Sequence, residues 1–390
     1  MERIYLDNNR STAVDPQVSA AMKPFLEGSY GDLHALHSDG ARSRKAYNEA
    51  LEKIYATLHA GEKDSVFFCS GAAEANSTVF YSTYINFILS GRKNSIIIGE
   101  REPLSILQIA EFLESQGVRV HRIPINGDGV IEHERLLDYI TPRTALVSVS
   151  MVDGESGAIE PIDEIAAICR RFEVPLHCDA THAVGKIALD LQSTELDYLT
   201  FSSETLHAPA GTGVLYMRKD SELLPLVWGG RSEAEAYRGG PLNIAGIAAL
   251  GKAVELAVDS LEFEMEDVRD MRDMLEERLK EIEGVHTLVP WALRVPNTLL
   301  VAIEGVESEA LLYELDKEGI SAYSNTVYPY GEWIRTALPE AMGLQRSLNH
   351  TTVGFALSRY NSEEEMERTA EAVKRAVEYL RSFMPSKESL

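Results

Sequence analysis

Apolar runs rich in β-branched residues recur along the first two-thirds of the chain. Between them lie segments whose apolar residues fall at helical spacing. The runs predict strands at Ser65–Phe68, Ser95–Ile98, Arg119–Ile123, Ala145–Met151, Val174–Cys178, Leu196–Phe201 and Gly213–Met217. Helices are expected at Leu104–Gln116, Glu132–Ile140 and Ile162–Phe172. Strand–helix alternation predicts an α/β fold, a mainly parallel seven-stranded sheet with helices on both faces.

The pattern changes near residue 260. Glu262–Glu283 reads as a charged amphipathic helix, Asn297–Glu304 as a strand, Ser308–Glu318 as a helix and Val353–Ala356 as a strand. Ser362–Phe383 reads as a closing helix, with Ser362 and Glu365 placed for a capping box. The expected division is a large domain over 16–260 and a small α+β domain built from 1–15 and 261–390.

Composition narrows the function classes. Against 37 Lys and Arg stand 61 Asp and Glu, a net charge of −24. So acidic a surface repels phosphate backbones, and no nucleic-acid partner is expected. No apolar run reaches the ~18 residues of a membrane span, and Met1–Asp7 lacks the apolar core of a secretory signal. Cys69, Cys169 and Cys178 are widely spaced and form no C-x-x-C pair. They read as buried thiols in a cytoplasmic protein, with no metal site.

Four polar segments lie where open α/β sheets bind ligands, or at the chain start. Asp7-Asn8-Asn9 reads as a turn after a short apolar run. Ser70-Gly71-Ala72-Ala73-Glu74-Ala75-Asn76 follows a strand and opens a helix, where free amides favour an anion. His177-Cys178-Asp179-Ala180-Thr181-His182 ends a buried strand. Its carboxylate can pair with a protonated ring nitrogen or cap the next helix. Ser202 to Gly211 ends the next strand, again polar and rich in Gly and Pro. No Walker or dinucleotide-binding glycine pattern is present.

In order and spacing, these segments resemble the fold-type I pyridoxal-phosphate (PLP) enzymes, class V aminotransferases and specifically cysteine desulfurases. The resemblance rests on Tyr5–Asn9, Leu36-His37-Ser38, Cys69–Glu74, Glu155–Ile162, Asp179–Lys186, His207-Ala208-Pro209 and Leu357–Asn361, and spans nearly the whole chain. It implies the PLP-transferase fold and a two-fold dimer. It also implies a cofactor pocket at Ala72, Ala73, Glu102, Gly154, Asp179, His182, Ser202, Glu204, Thr205, His207 and Pro241.

Several of these positions depart from the family's pattern. The Schiff-base lysine aligns with Thr205, which offers no amine, and the histidine before it with Glu204. The ring-stacking histidine aligns with Glu102, a carboxylate expected to repel an anionic cofactor. A phosphate-binding hydroxyl aligns with Ala73, and a second one, from the partner subunit, with Pro241. The ring-contacting Asn and Gln align with Gly154 and His182, and the substrate arginine with Gly354. The loop carrying the sulfur-accepting cysteine aligns with Ser324–Tyr328, which has none.

The joint departures lead to the expectation of a protein without desulfurase activity and without a cofactor. It would act as a scaffold or regulator in sulfur or iron–sulfur handling. Its expected state is a homodimer or a heterodimer with an active paralogue, with an iron–sulfur scaffold protein as a further partner. The alternatives are an enzyme that holds PLP non-covalently, or binds another small anion with Glu102, Glu204 and His207 as acid–base groups, and an active cysteine desulfurase.

Overall fold

The computed structural model describes residues 3–230, 236–290, 293–324 and 338–383. In chain order its strands are β1 (Ile4–Tyr5), β2 (Ser65–Cys69), β3 (Ser95–Gly99), β4 (Arg119–Ile123), β5 (Thr144–Ser148), β6 (Leu176–Asp179), β7 (Tyr198–Ser202), β8 (Gly213–Met217), β9 (Val285–Leu288), β10 (Thr298–Ile303), β11 (Ile320–Ser321) and β12 (Thr352–Ala356). A seven-stranded sheet runs in the order β2-β8-β7-β6-β5-β3-β4. Only β8 opposes its neighbours; the other pairings are parallel.

The strands sit where the apolar runs place them, because β3, β5, β7 and β8 are buried along their whole length. Such strands need no alternation of polar residues. Two large apolar clusters cover the two faces of this sheet, one around Ile97, Val147 and Leu199, the other around Ile96, Ile98 and Leu146.

The C-terminal part builds a three-stranded antiparallel sheet, β12-β10-β9, with its own apolar cluster around Leu299, Phe355 and Val373. Glu363–Arg381 packs on it, and Ser362 and Glu365 form the reciprocal capping box. The chain start joins this part: β1 pairs with β11, and Asp7 bridges to Ala356. Asn8 then donates to the Ala356 carbonyl, Asn9 to Thr298 and the Gly154 carbonyl, and Thr12 to the Glu204 carbonyl. The segment 7–12 therefore stitches the small sheet to loops at the strand ends of the large one.

One close approach sets the shape of the turn after β2. A Cβ on Gly213 would lie 2.6 Å from Gly71 backbone atoms. Gly213→Ala is expected to destabilise the protein by about 1–3 kcal/mol through overpacking against backbone that cannot yield. Urea denaturation checks it; an unchanged midpoint would contradict this contact.

Candidate active site

Asp179 ends β6 with its carboxylate only 4% exposed. Asn76 Nδ2 donates to its Oδ2 at 2.8 Å, and the Thr181 amide to its Oδ1 at 2.9 Å. Burial raises its pKa, and no Lys, Arg or His pairs with it among the described residues. Behind it runs a chain of buried polar groups. Ser148 Oγ lies 2.8 Å from His177 Nδ1, and His177 Nε2 lies 3.1 Å from Thr200 Oγ1. Thr200 donates to Asn76 Oδ1 at 2.6 Å. With the Thr200 proton given to Asn76, the Thr200 oxygen accepts from His177 Nε2–H, and Nδ1 accepts from Ser148. Burial drives His177 down to about 3, so the ring is neutral. Every donor in this chain points toward Asp179.

The second feature is the N-terminus of the helix Ala72–Thr83. Gly71 caps it without a side-chain hydrogen bond, which leaves its first amides open. Ser202 Oγ is 3.4 Å from where a Gly71 Cβ would stand. Ser202 donates to Glu204, so a carboxylate borders the turn. Glu74, one residue past Ala73, accepts from the Ser70 amide and pairs with Arg238 at 3.0 Å.

Glu102 is buried and accepts from the Ser150 amide at 3.0 Å and the Ser150 hydroxyl at 2.6 Å. Burial pushes it up to about 8, with Asp179 and Asp153 adding to the rise. It is neutral at pH 7, so the charge repulsion expected of it falls away. Arg101 is held between Asp153, at 3.3 Å, and Glu155.

Two glycines of the site face large side chains. A Cβ on Gly154 would lie 2.4 Å from His182 Nε2, and a Cβ on Gly354 would lie 2.2–2.7 Å from the Tyr323 ring. Tyr323 and Gly354 exchange both backbone hydrogen bonds, and the buried Tyr323 hydroxyl donates to the Glu155 carbonyl at 2.7 Å. His182 Nδ1 has no hydrogen-bond partner among the described residues, and burial lowers its pKa to about 4.

Other expected residues lie elsewhere. Thr205 is buried and donates to the Thr181 carbonyl at 2.8 Å. His207 turns its Nδ1 to the Ala13 carbonyl and meets Tyr360 edge-on. Lys186 lines a small cavity of about 20 Å³ together with Thr205, His207, Glu264 and Arg359, room for about one water. Pro241 is exposed and its carbonyl accepts from Arg238. Ser324 is described, but Tyr328 lies outside the described residues. Sequence reading passed over Arg10, Tyr323 and the role of Asn76. Asn76 is one helical turn past Ala72–Ala73, on the face toward Asp179, and this spacing was the available signal.

The Aminotransferase class-V family model matches residues 4–369. A cysteine desulfurase of Enterobacter agglomerans is 35% identical, covering 99% of this chain and 95% of its own. Cysteine desulfurase NifS of Azotobacter vinelandii is 34% identical over the same shares. A solved structure described as a NifS-like protein superimposes with a TM-score of 0.89 at 28% identity, covering 97% of this chain and all of that one. Another, described as SspA in complex with cysteine, gives 0.77 at 26% identity, covering 92% of this chain and all of that one. The chain belongs to the class V aminotransferase family, among the cysteine desulfurases, and has the fold-type I PLP-transferase architecture.

These comparisons correct two expectations. A non-catalytic protein is overturned by full-length relatives named cysteine desulfurase. The absence of a cofactor is overturned because members of this family use PLP. The residues present suit PLP held without a covalent bond. Asp179 is a buried carboxylate without a counter-cation, and the open helix N-terminus at Ala72 suits a phosphate. Glu102 brings no charge at neutral pH. Thr205 alone rules out an imine at its own position.

Two outcomes follow. Burial pushes Glu102 and Glu160 both up to about 8 in the folded state, against an ordinary carboxyl value of about 4.5. The folded state then binds protons that the unfolded state has released, so stability is full below about 4.5 and falls as pH rises through 8. Urea midpoints should drop over that window, and Glu102→Gln should flatten the drop; equal slopes would contradict the burial of this carboxyl. Gly354→Ala should cost about 1–3 kcal/mol. Tyr323→Leu should recover part of that loss in a double-mutant cycle, and strict additivity would contradict the contact.

Proposed function

We propose that this protein is an enzyme that takes sulfur from L-cysteine with non-covalently held PLP. The observation that carries this reading is Asp179: a carboxylate buried at a strand end, fed by donors and lacking a cation. A protonated ring nitrogen is the partner such a group lacks. When bound, PLP supplies an electron sink for bonds made and broken at the amino acid. Asp179 would orient the ring and keep its nitrogen protonated. The amides at Ala72 and Ala73 would hold the phosphate.

The protein's own groups divide the proton handling. Glu102 holds a proton at neutral pH, and His182 Nδ1, neutral and without a partner, is open to accept one. All three cysteines are buried, with Cys169 pushed up to about 12, and none offers a thiolate. The sulfur therefore passes to an external thiol: the Cβ–S bond of cysteine breaks, an S–S bond forms, and the thiol's proton replaces sulfur on carbon. Cysteine and a thiol thus become alanine and a persulfide, with electrons balanced. Cysteine as substrate is supported by the relatives' names and by the neighbour solved with cysteine. The same family membership supports a two-fold dimer and a place in sulfur handling, with an iron–sulfur scaffold protein as one acceptor.

The dialysed protein should bind added PLP, read by visible absorbance, and form alanine from cysteine and dithiothreitol. Borohydride followed by denaturation should release the cofactor rather than fix it. Asp179→Ala should weaken PLP binding about tenfold to a hundredfold, the size of a charge-assisted contact. Failure of the wild type both to bind PLP and to form alanine would overturn the reading.

A further inference from the structure

An amino-acid substrate brings a carboxylate, and binding it needs a cation at the mouth of the site. Most cations near this site are engaged. Arg101 is held against Asp153 and Glu155, Arg238 pairs with Glu74, Arg359 pairs with Asp15 at 3.4 Å, and Lys186 opens toward Glu264. Strand β12 cannot supply one at Gly354, because the Tyr323 ring occupies the space where a side chain would start.

Arg10 differs. Its backbone is fixed on both sides, by Asn9 on the Gly154 carbonyl and by Thr12 on the Glu204 carbonyl. Both anchors belong to loops of the site, so residue 10 spans its edge. The guanidinium lies 5.9 Å from the centroid of the Tyr323 ring, the same ring that closes the space at Gly354. One NH2 group donates to the Ser324 carbonyl at 3.0 Å, and Nε lies 3.9 Å from Asp7 Oδ1, beyond hydrogen-bond range. The side chain is 49% exposed. A guanidinium carries five N–H donors in a planar fork; this one spends one on Ser324, and its orientation is set by an aromatic face and a carbonyl. Asp7, raised by burial to about 6, is ionised at neutral pH and attracts the cation only across this 3.9 Å separation.

We propose that Arg10 binds the carboxylate of the amino-acid substrate, its guanidinium braced on Tyr323, and thereby sets the preference for an α-amino acid over the amine that lacks the carboxylate. The assignment rests on the function proposed above. Cysteine and cysteamine differ by this one group, which makes them the probes.

Both ligands are titrated calorimetrically into PLP-saturated protein, with PLP occupancy measured first by absorbance. Wild type should prefer cysteine. Arg10→Gln should lose about ten- to a hundredfold in cysteine affinity, the scale of a charged contact. Its cysteamine affinity should stay within about twofold, which also shows that the site is intact. Arg10→Lys should recover part of the loss, since the charge returns without the fork. In turnover, KM should rise with kcat little changed. PLP that binds, with an unchanged cysteine-to-cysteamine ratio in Arg10→Gln, would overturn the role of Arg10 and leave the function standing. A wild type that binds neither PLP nor cysteine would overturn both.

Discussion

A carboxylate buried without a counter-charge is the constraint on which this site depends. Burying an isolated ionised carboxyl costs several kcal/mol unless donors or a cation meet it. Asp179 has donors only, from Asn76 and the Thr181 amide. They are oriented by a chain that begins at Ser148 and passes through His177 and Thr200, crossing β5, β6 and β7. The sheet is thus more than a platform: three adjacent strands each contribute one polar side chain to a single polarised line. Such a line favours a charged Asp179 and leaves its attraction for a cation unmet.

The groups around it are arranged to match. Glu102 is negative by sequence but neutral by environment, because the site that buries it also holds Asp179 and Asp153. Gly154 with His182, and Gly354 with Tyr323, are paired in size: the glycine's missing side chain leaves room for a large one nearby. Filled space and retained polar partners describe a site repacked as a unit. No amine stands at position 205, and in the proposed function non-covalent contacts would hold the cofactor.

The large sheet was legible because strands buried along their length write themselves as largely apolar runs, as Ala145–Met151 and Gly213–Met217 do. The capping box at Ser362 was legible for the same local reason. The site was legible only in part. Asp179 and the turn at Ala72 are strand-end features with fixed sequence neighbours. The state of Glu102 was not readable, since its pKa depends on Ser150 and Asp179, far away in the chain. Tyr323 and Arg10 meet at the site only through the pairing of β1 with β11 and of Tyr323 with Gly354. No periodicity announces those contacts. The expectation of lost activity weighed the missing side chains together, but without the neighbours that fill their space.

A crystal structure of the protein grown with PLP tests the central claim most directly. The account predicts the pyridine nitrogen within hydrogen-bond distance of Asp179, the phosphate at the amides of Ala72 and Ala73, and no covalent link to the chain. A cofactor that places another face toward Asp179, or is found covalently joined to Lys186, would contradict it.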